Sequence, residues 1–186
     1  MTRYKCLENQ IFEFNNFKIV PLRHQDRFDI LKWRNEQIFH LRQNKSLTVD
    51  DQDNYFSNVV SKLFKVNQPN QILFSYLEND ICIGYGGLVH INWIDKNAEI
   101  SFIMDTALEQ DYFISNWNTF LSLIEKVAFQ NLKFHKIFTY SFDLRPNLYI
   151  ALKDVNFIEE ARLKEHYFFG GKFFDVRIHS KINRLC

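Results

Sequence analysis

The sequence is poor in the residues that break up a chain, with only 5 Gly and 3 Pro among its 186 residues. No Ser/Gly-rich linker, internal repeat or long charge block marks a boundary, so residues 1–186 read as a single domain of a size that supports one core. Cysteine is scarce as well. Cys6, Cys82 and Cys186 are odd in number and scattered, with neither CxxC spacing nor a histidine cluster beside them, which argues against a disulfide framework and against a zinc site. Free thiols in a reducing cytoplasm are the expectation, with no metal. Charge of one sign is missing too: Lys plus Arg number 23 and Asp plus Glu 22, so no global field points to nucleic acid or to an anionic membrane. The start, MTRYKCLENQ, has no hydrophobic signal segment, and no apolar run approaches the roughly 18 residues of a membrane span. A cytoplasmic protein is expected.

Aromatic residues are abundant, 17% of the chain with 20 Phe, 8 Tyr and 3 Trp, the opposite of a disordered composition. QIFEFNNFKIVPLR, residues 10–23, reads as a hairpin turning at Asn15-Asn16, with Phe17 and Ile19 on one face of its second half. From Arg27 to Ile38 the residues Phe28, Leu31 and Ile38, beside Ile30 and Trp33, recur at helical spacing. A second helix begins near Thr48, whose hydroxyl forms a capping box with Asp51. ILFSYLEN, ICIGYGGLVHI and AEISFIM follow as three antiparallel strands, turned at Glu78-Asn79-Asp80 and at Ile94 to Asn97. The strongest helix spans about Tyr112 to Leu132, with Phe113, Trp117, Phe120, Leu121, Ile124 and Ala128 as one apolar stripe. A strand from Lys136 to Phe142, a short helix from Pro146 to Lys153, and a final strand pair turned by Gly170-Gly171 complete the order.

This order predicts an α/β (α+β) fold, a mixed and mostly antiparallel sheet of about seven strands flanked by about four helices. The long helix after AEISFIM permits a crossover to a parallel partner, KIFTYSF. Where two parallel strands splay, a crevice opens at their carboxyl ends, the usual ligand site of open α/β sheets. One absence stands beside that crevice: Asp105 to Trp117, DTALEQDYFISNW, has no glycine where a nucleotide-phosphate loop would need several.

The element order, together with IGYGGL, AEISF, HKIFTYSFDLRPN, VNF and GGKFFDVRIHSKI, resembles the GCN5-related N-acetyltransferase (GNAT) superfamily over about Phe17 to Ile182. Within it, WRN at Trp33 to Asn35 and the AEISF strand resemble the branch of ribosomal-protein N-terminal and nucleotide-linked amino-sugar acetyltransferases. The resemblance implies transfer of an acetyl group from acetyl-CoA (acetyl-coenzyme A), as cosubstrate, to an amine. The amine must be neutral to attack, the oxyanion needs a fixed donor, and the departing thiolate needs a proton. The family's fourth strand lends backbone amides to the coenzyme arm, which falls here on Phe102, Ile103 and Met104. Glu99 is the natural base, beside the alternative of a structural carboxylate, and His90 is its cross-strand neighbour in one of two registers. The tyrosine acid of many members would fall on Leu152, with Asn156-Phe157 in place of the glycine pair, so Tyr140 and Tyr149 are the remaining proton donors and Tyr140 is preferred.

The family's Gln/Arg-x-x-Gly-x-Gly/Ala phosphate loop is replaced by Leu108-Glu109-Gln110-Asp111-Tyr112-Phe113, whose carboxylates repel phosphate while favouring the helix dipole. Either other amides, aided by Arg145 or Lys153, hold the pyrophosphate, or coenzyme binding is lost. Retained binding is expected, with Arg145 and Asn147 as coenzyme contacts. Trp33, Arg34 and His90 are the acceptor-side candidates. His166 and Tyr167 are further candidates, with Asp175 and His179 assigned to the sheet. The expected partners are a small-molecule amine acceptor, foremost a nucleotide-linked amino sugar, with no nucleic acid and no membrane, and a homodimer is left open. The alternatives are a protein N-terminal acetyltransferase and a non-catalytic binding protein of the same fold.

Overall fold

The computed structural model describes residues 2–184. Strands β1 (Phe12–Phe14) and β2 (Phe17–Pro21) form the first hairpin, with Asn15 at φ 53° in the left-handed region that asparagine tolerates. Helix α1 (Arg27–Glu36) follows. Helix α2 (Val49–Tyr55) starts at the Thr48–Asp51 capping box and runs through a π-helical turn, Phe56–Val60, into Ser61–Leu63. Strands β3 (Ile72–Glu78), β4 (Ile81–Asn92) and β5 (Asn97–Met104) make an antiparallel meander. Helix α3 (Glu109–Glu125) crosses the sheet to β6 (Lys136–Phe142), and α4 (Pro146–Asp154) leads to the hairpin of β7 (Ile158–Phe169) and β8 (Lys172–Ile182). The sheet has eight strands, in the order β1-β2-β3-β4-β5-β6-β8-β7. The eighth strand, beyond the seven expected, is the short β1, which pairs with β2 from Phe12↔Ile19 to Phe14↔Phe17.

Two sequence expectations shift for physical reasons. Helix α3 begins at Glu109, not Tyr112, because the Asp105 carboxylate accepts from the Ala107 amide at 3.1 Å and starts the chain turning early. In α1 the buried residues are Ile30 and Trp33, whereas Phe28 is 45% exposed. Phe28 instead carries the Arg27 guanidinium, 4.0 Å from its ring centroid.

The parallel contact between β5 and β6 is confined to Asn97↔Lys136, Ala98↔Ile137 and Glu99↔Phe138. Beyond it each strand stays bound to its outer neighbour, β5 to β4 through Met104 and β6 to β8 through Phe142. The two therefore separate from Ile100 and Thr139 onward. The glycines of β4 allow β5 to lie close on the other side: a Cβ at Gly86 would sit 2.2 Å from the Ser101 carbonyl oxygen. The IGYGG segment thus serves strand packing. On one face of the sheet α3 buries Phe113, Trp117, Phe120, Leu121 and Ile124, with Phe120 stacked on Phe102 at 4.0 Å. The Tyr76 hydroxyl donates to Asn116 Oδ1 at 3.0 Å, which ties the core of the helix to β3.

Cys6 and Cys82 are unpaired thiols, while Cys186 lies outside the described residues. Among the described residues no helix is long and apolar enough to cross a membrane, and no three His, Cys, Asp or Glu side chains group as a metal site.

Candidate active site

The gap between β5 and β6 opens into a cavity of about 330 Å³ whose wall includes Glu99, Ile100, Ser101 and Phe102 from β5 and Thr139, Tyr140, Ser141 and Phe142 from β6. Side chains alternate along a strand. Glu99 and Ser101 therefore face the α1/α2 side, while Phe102 faces α3, where it meets Trp117 edge-on at 5.1 Å. The cavity reaches both sides of the sheet through the gap, as a site joining two substrates requires.

On the α1/α2 side four residues form one cluster. Arg42 donates to Glu99 Oε1 at 2.8 Å, lies 3.2 Å from His90 Nε2, and stacks its guanidinium 4.2 Å over the Tyr140 ring centroid. Arginine has only donors, so His90 Nε2 is the acceptor in this contact. The register places Val89 opposite Glu99, and the ladder is broken between Val89 and Asn92, with His90 at φ 48°. That bulge turns His90 toward the arginine. Arg34 donates to the Tyr85 hydroxyl at 2.6 Å and to Gln43 Oε1 at 3.1 Å. Among the described residues no carboxylate lies within ion-pair distance of it, and Tyr85 is the first cause holding its guanidinium above the ordinary value.

At the α3 end, Arg145 pairs with Glu109, the first residue of the helix, and has His40 Nδ1 3.3 Å away and the Phe113 ring centroid 4.6 Å away. His40 Nδ1 must accept from arginine, which leaves Nε2–H to donate to Gln37 Oε1 at 3.1 Å. Burial, with the Arg145 charge adding to it, drives the His40 imidazole down to about 3. Burial also lowers Arg145 to about 10 against the pull of Glu109, and raises the Glu109 carboxyl against the pull of Arg145. Both shifts favour neutral forms while the contact is that of an ion pair. At neutral pH Arg145 carries its charge, because it stays well above 7.

The expected residues fall into two groups. Glu99, Tyr140, Phe102, Arg145, Arg34 and His90 line the cavity. Ile103, Met104, Asn147 and Trp33 do not: the Met104 carbonyl accepts from the Gln37 amide at 2.8 Å, Asn147 is exposed, and Trp33 is core at 3% exposure. The stretch of β5 that borders the gap is thus Ile100 to Phe102. Tyr149 stacks on His179 at 5.3 Å and carries Arg177 over its ring, away from the cavity. Tyr167 stacks on Phe142 at 3.5 Å, and Asp175 accepts from the Glu165 amide at 3.0 Å.

Sequence reading passed over Arg42, His40 and Thr139, and assigned Trp117 to the core alone. Their loop and strand positions carry no periodic signal of a site. Trp117 Nε1 and Thr139 Oγ1 are buried in the cavity wall without a hydrogen-bond partner among the described residues. An orphaned buried polar atom costs about 1–3 kcal/mol, so a ligand with amide groups fits this gap. Pantetheine, the arm of coenzyme A, has two amides, and Arg145 stands at the α3 end of the cavity.

Comparisons with known proteins agree with this fold. The family model of the acetyltransferase (GNAT) domain matches residues 19–178. Among solved structures, spermidine N-acetyltransferase from Vibrio cholerae in complex with CoA and spermine is similar at a TM-score of 0.77, with 18% identity over 91% of this chain and 97% of that one. The dodecameric structure of spermidine N-acetyltransferase from Vibrio cholerae gives 0.74, with 19% identity over 91% and 95%. A probable acetyltransferase gives 0.73, with 16% identity over 94% and 97%. No protein of curated function matches the sequence at a significant level. None of these relatives singles out the ribosomal-protein or amino-sugar branch that the short motifs resemble.

Proposed function

This chain belongs to the GNAT acetyltransferase family, with acetyl-CoA as cosubstrate, and from that premise we propose that it acetylates the primary amine of a small acceptor that also carries an anionic group. A nucleotide-linked amino sugar is the leading class. The observation that carries the acceptor reading is Arg34, a cation in the cavity wall without a carboxylate partner among the described residues. A partly buried guanidinium bound only by neutral groups favours an anionic guest, and its planar fork suits phosphate or carboxylate.

The roles of the chain's own residues follow from position. Glu99, with 13% of its side chain exposed, takes the proton from the attacking ammonium or amine, directly or through water. Backbone groups of Ile100 to Phe102 border the thioester and polarise its carbonyl. As the N–C bond forms and the C–S bond breaks, the Tyr140 hydroxyl supplies the thiolate's proton.

A polyamine acceptor is the second reading. Its support is the seat that Arg42 occupies between the Glu99 carboxylate and the Tyr140 ring, since a site that holds a guanidinium would hold an ammonium. Release of coenzyme A thiol, followed with a nucleotide-linked amino sugar, spermidine and an N-terminal peptide, separates the readings. The expected result is turnover with the first, and a tenfold or greater KM increase on Arg34→Met. Faster turnover with spermidine would transfer the assignment to polyamines, and an absence of coenzyme binding would remove catalysis altogether.

A further inference from the structure

Two buried polar atoms without partners, both on residues of the cavity wall, are unused by the acyl-transfer roles above. Trp117 is 4% exposed and comes from α3, and Thr139 is 3% exposed and comes from β6. Both line the cavity, and Trp117 Nε1 and Thr139 Oγ1 have no hydrogen-bond partner among the described residues. Two other buried atoms share that condition, Asn118 Oδ1 and His179 Nδ1, but neither residue lines the cavity. Trp117 and Thr139 are therefore the two residues with such an atom that line the cavity.

Their chemistry narrows the guest. An indole N–H can only donate, so its partner is an acceptor such as a carbonyl oxygen, while a threonine hydroxyl both donates and accepts. Thr139 is the first β6 residue beyond the parallel pairing with β5, which ends at Glu99↔Phe138. It stands where the strands begin to separate, level with the free edge of Ile100. A secondary amide threaded between the strands would meet a donor on the α3 wall and a donor-acceptor on the β6 wall. Neither residue carries charge, so the pair suits a neutral arm and not the phosphates.

We propose that Trp117 and Thr139 are a side-chain clamp for the pantetheine arm, with Trp117 Nε1–H donating to an arm carbonyl and the Thr139 hydroxyl bonding an arm amide. This rests on the acetyl-coenzyme A reading of the cavity and adds to it two side chains where the backbone of β5 was the expected source of contacts. The clamp adds a grip on the middle of the coenzyme to the one that Arg145 offers its phosphates at the glycine-free start of α3.

The test is calorimetric titration of the full chain with coenzyme A and with adenosine 3′,5′-bisphosphate, a nucleotide ligand without the arm. Thr139→Val, which keeps the shape and removes the hydroxyl, should weaken coenzyme A about tenfold, the change expected for one hydrogen bond, and leave the nucleotide unchanged. Thr139→Ser should restore the affinity. The thermal midpoint of unliganded Thr139→Val should not fall, because the deleted oxygen had no partner. Trp117→Phe also opens space beside Phe102, so its readout is the ratio of the two affinities, which should shift in the same direction. Unchanged coenzyme A affinity in both variants, or equal losses for both ligands, overturns the clamp. A wild-type chain that binds neither ligand overturns the acetyltransferase reading itself, a distinct outcome.

Discussion

Arg42 and Glu99 hold each other at 2.8 Å across the acceptor side of the cavity, and the Arg42 side chain remains 45% exposed. The carboxylate best placed to take a proton from an amine is thus held by a residue from an exposed stretch after α1. Ion pairs between exposed side chains contribute only about 0–1 kcal/mol, and Arg42 is the exposed partner of this one. An arriving acceptor can therefore exchange with Arg42 at little cost, and the Tyr140 ring beneath the guanidinium remains to receive it.

Glu99→Gln keeps the shape of the side chain and removes its basicity. Turnover should fall about 10²–10⁴-fold, the usual contribution of a positioned base, while coenzyme A affinity measured by titration stays the same. Retention of wild-type kcat from pH 6 to 9 would leave Glu99 as the partner of Arg42 and nothing more.

Arg42→Ala empties the seat over Tyr140. Amines with extra positive charge should gain relative to anionic acceptors, with spermidine KM falling several-fold and the KM of an anionic acceptor rising. Competition assays with both acceptor types check the direction. A uniform loss across acceptors would instead mark Arg42 as a structural clip.

Glu109→Gln removes the carboxylate that occupies Arg145. Arg145 has only 10% of its side chain exposed, so loss of its partner leaves a nearly buried charge, a change that costs about 3–5 kcal/mol in fully buried pairs. The unliganded protein should melt earlier, whereas coenzyme A, whose phosphates supply the missing anion, should stabilise the variant more than the wild type. Thermal shift with and without coenzyme A reads both effects.

His40 makes the fold sensitive to mild acid. Its folded value of about 3 lies below the ordinary 6.5, since burial comes first and the neighbouring Arg145 second. Below pH 6.5 the unfolded chain takes up a proton that the folded chain refuses, so stability is full above that value and declines as pH falls toward 3. At pH 5 the loss is about 2 kcal/mol from this residue. Denaturant midpoints at pH 7.5 and 5.0 should differ by less in His40→Gln, and an equal difference in both proteins would exclude His40 as the source.

Local features of the chain were readable because their causes are local. The Thr48–Asp51 capping box starts α2 as expected, and the turns at Asn15 and Gly170-Gly171 match, because hydroxyl caps and left-handed φ values are set by neighbouring residues. The crevice between AEISFIM and KIFTYSF followed from a helix long enough to permit a parallel return, and the ladder indeed ends at Glu99↔Phe138. Which part of β5 lines the cavity was not readable: Ile100 to Phe102 do so, while further along the strand the Met104 carbonyl accepts from the Gln37 amide, 67 residues earlier.

By itself, then, the order of apolar periods and turn residues determined the mixed sheet, its crossover helix and the place of the gap, since each rests on interactions within a few residues or on simple chain connectivity. Only the tertiary structure decided what the gap contains. Arg42 meets Glu99 across 57 positions and Arg145 meets Glu109 across 36. Trp117 and Thr139 face one cavity from a helix and a strand. Such meetings leave no local pattern, because what brings the side chains together is the packing of whole elements against one another.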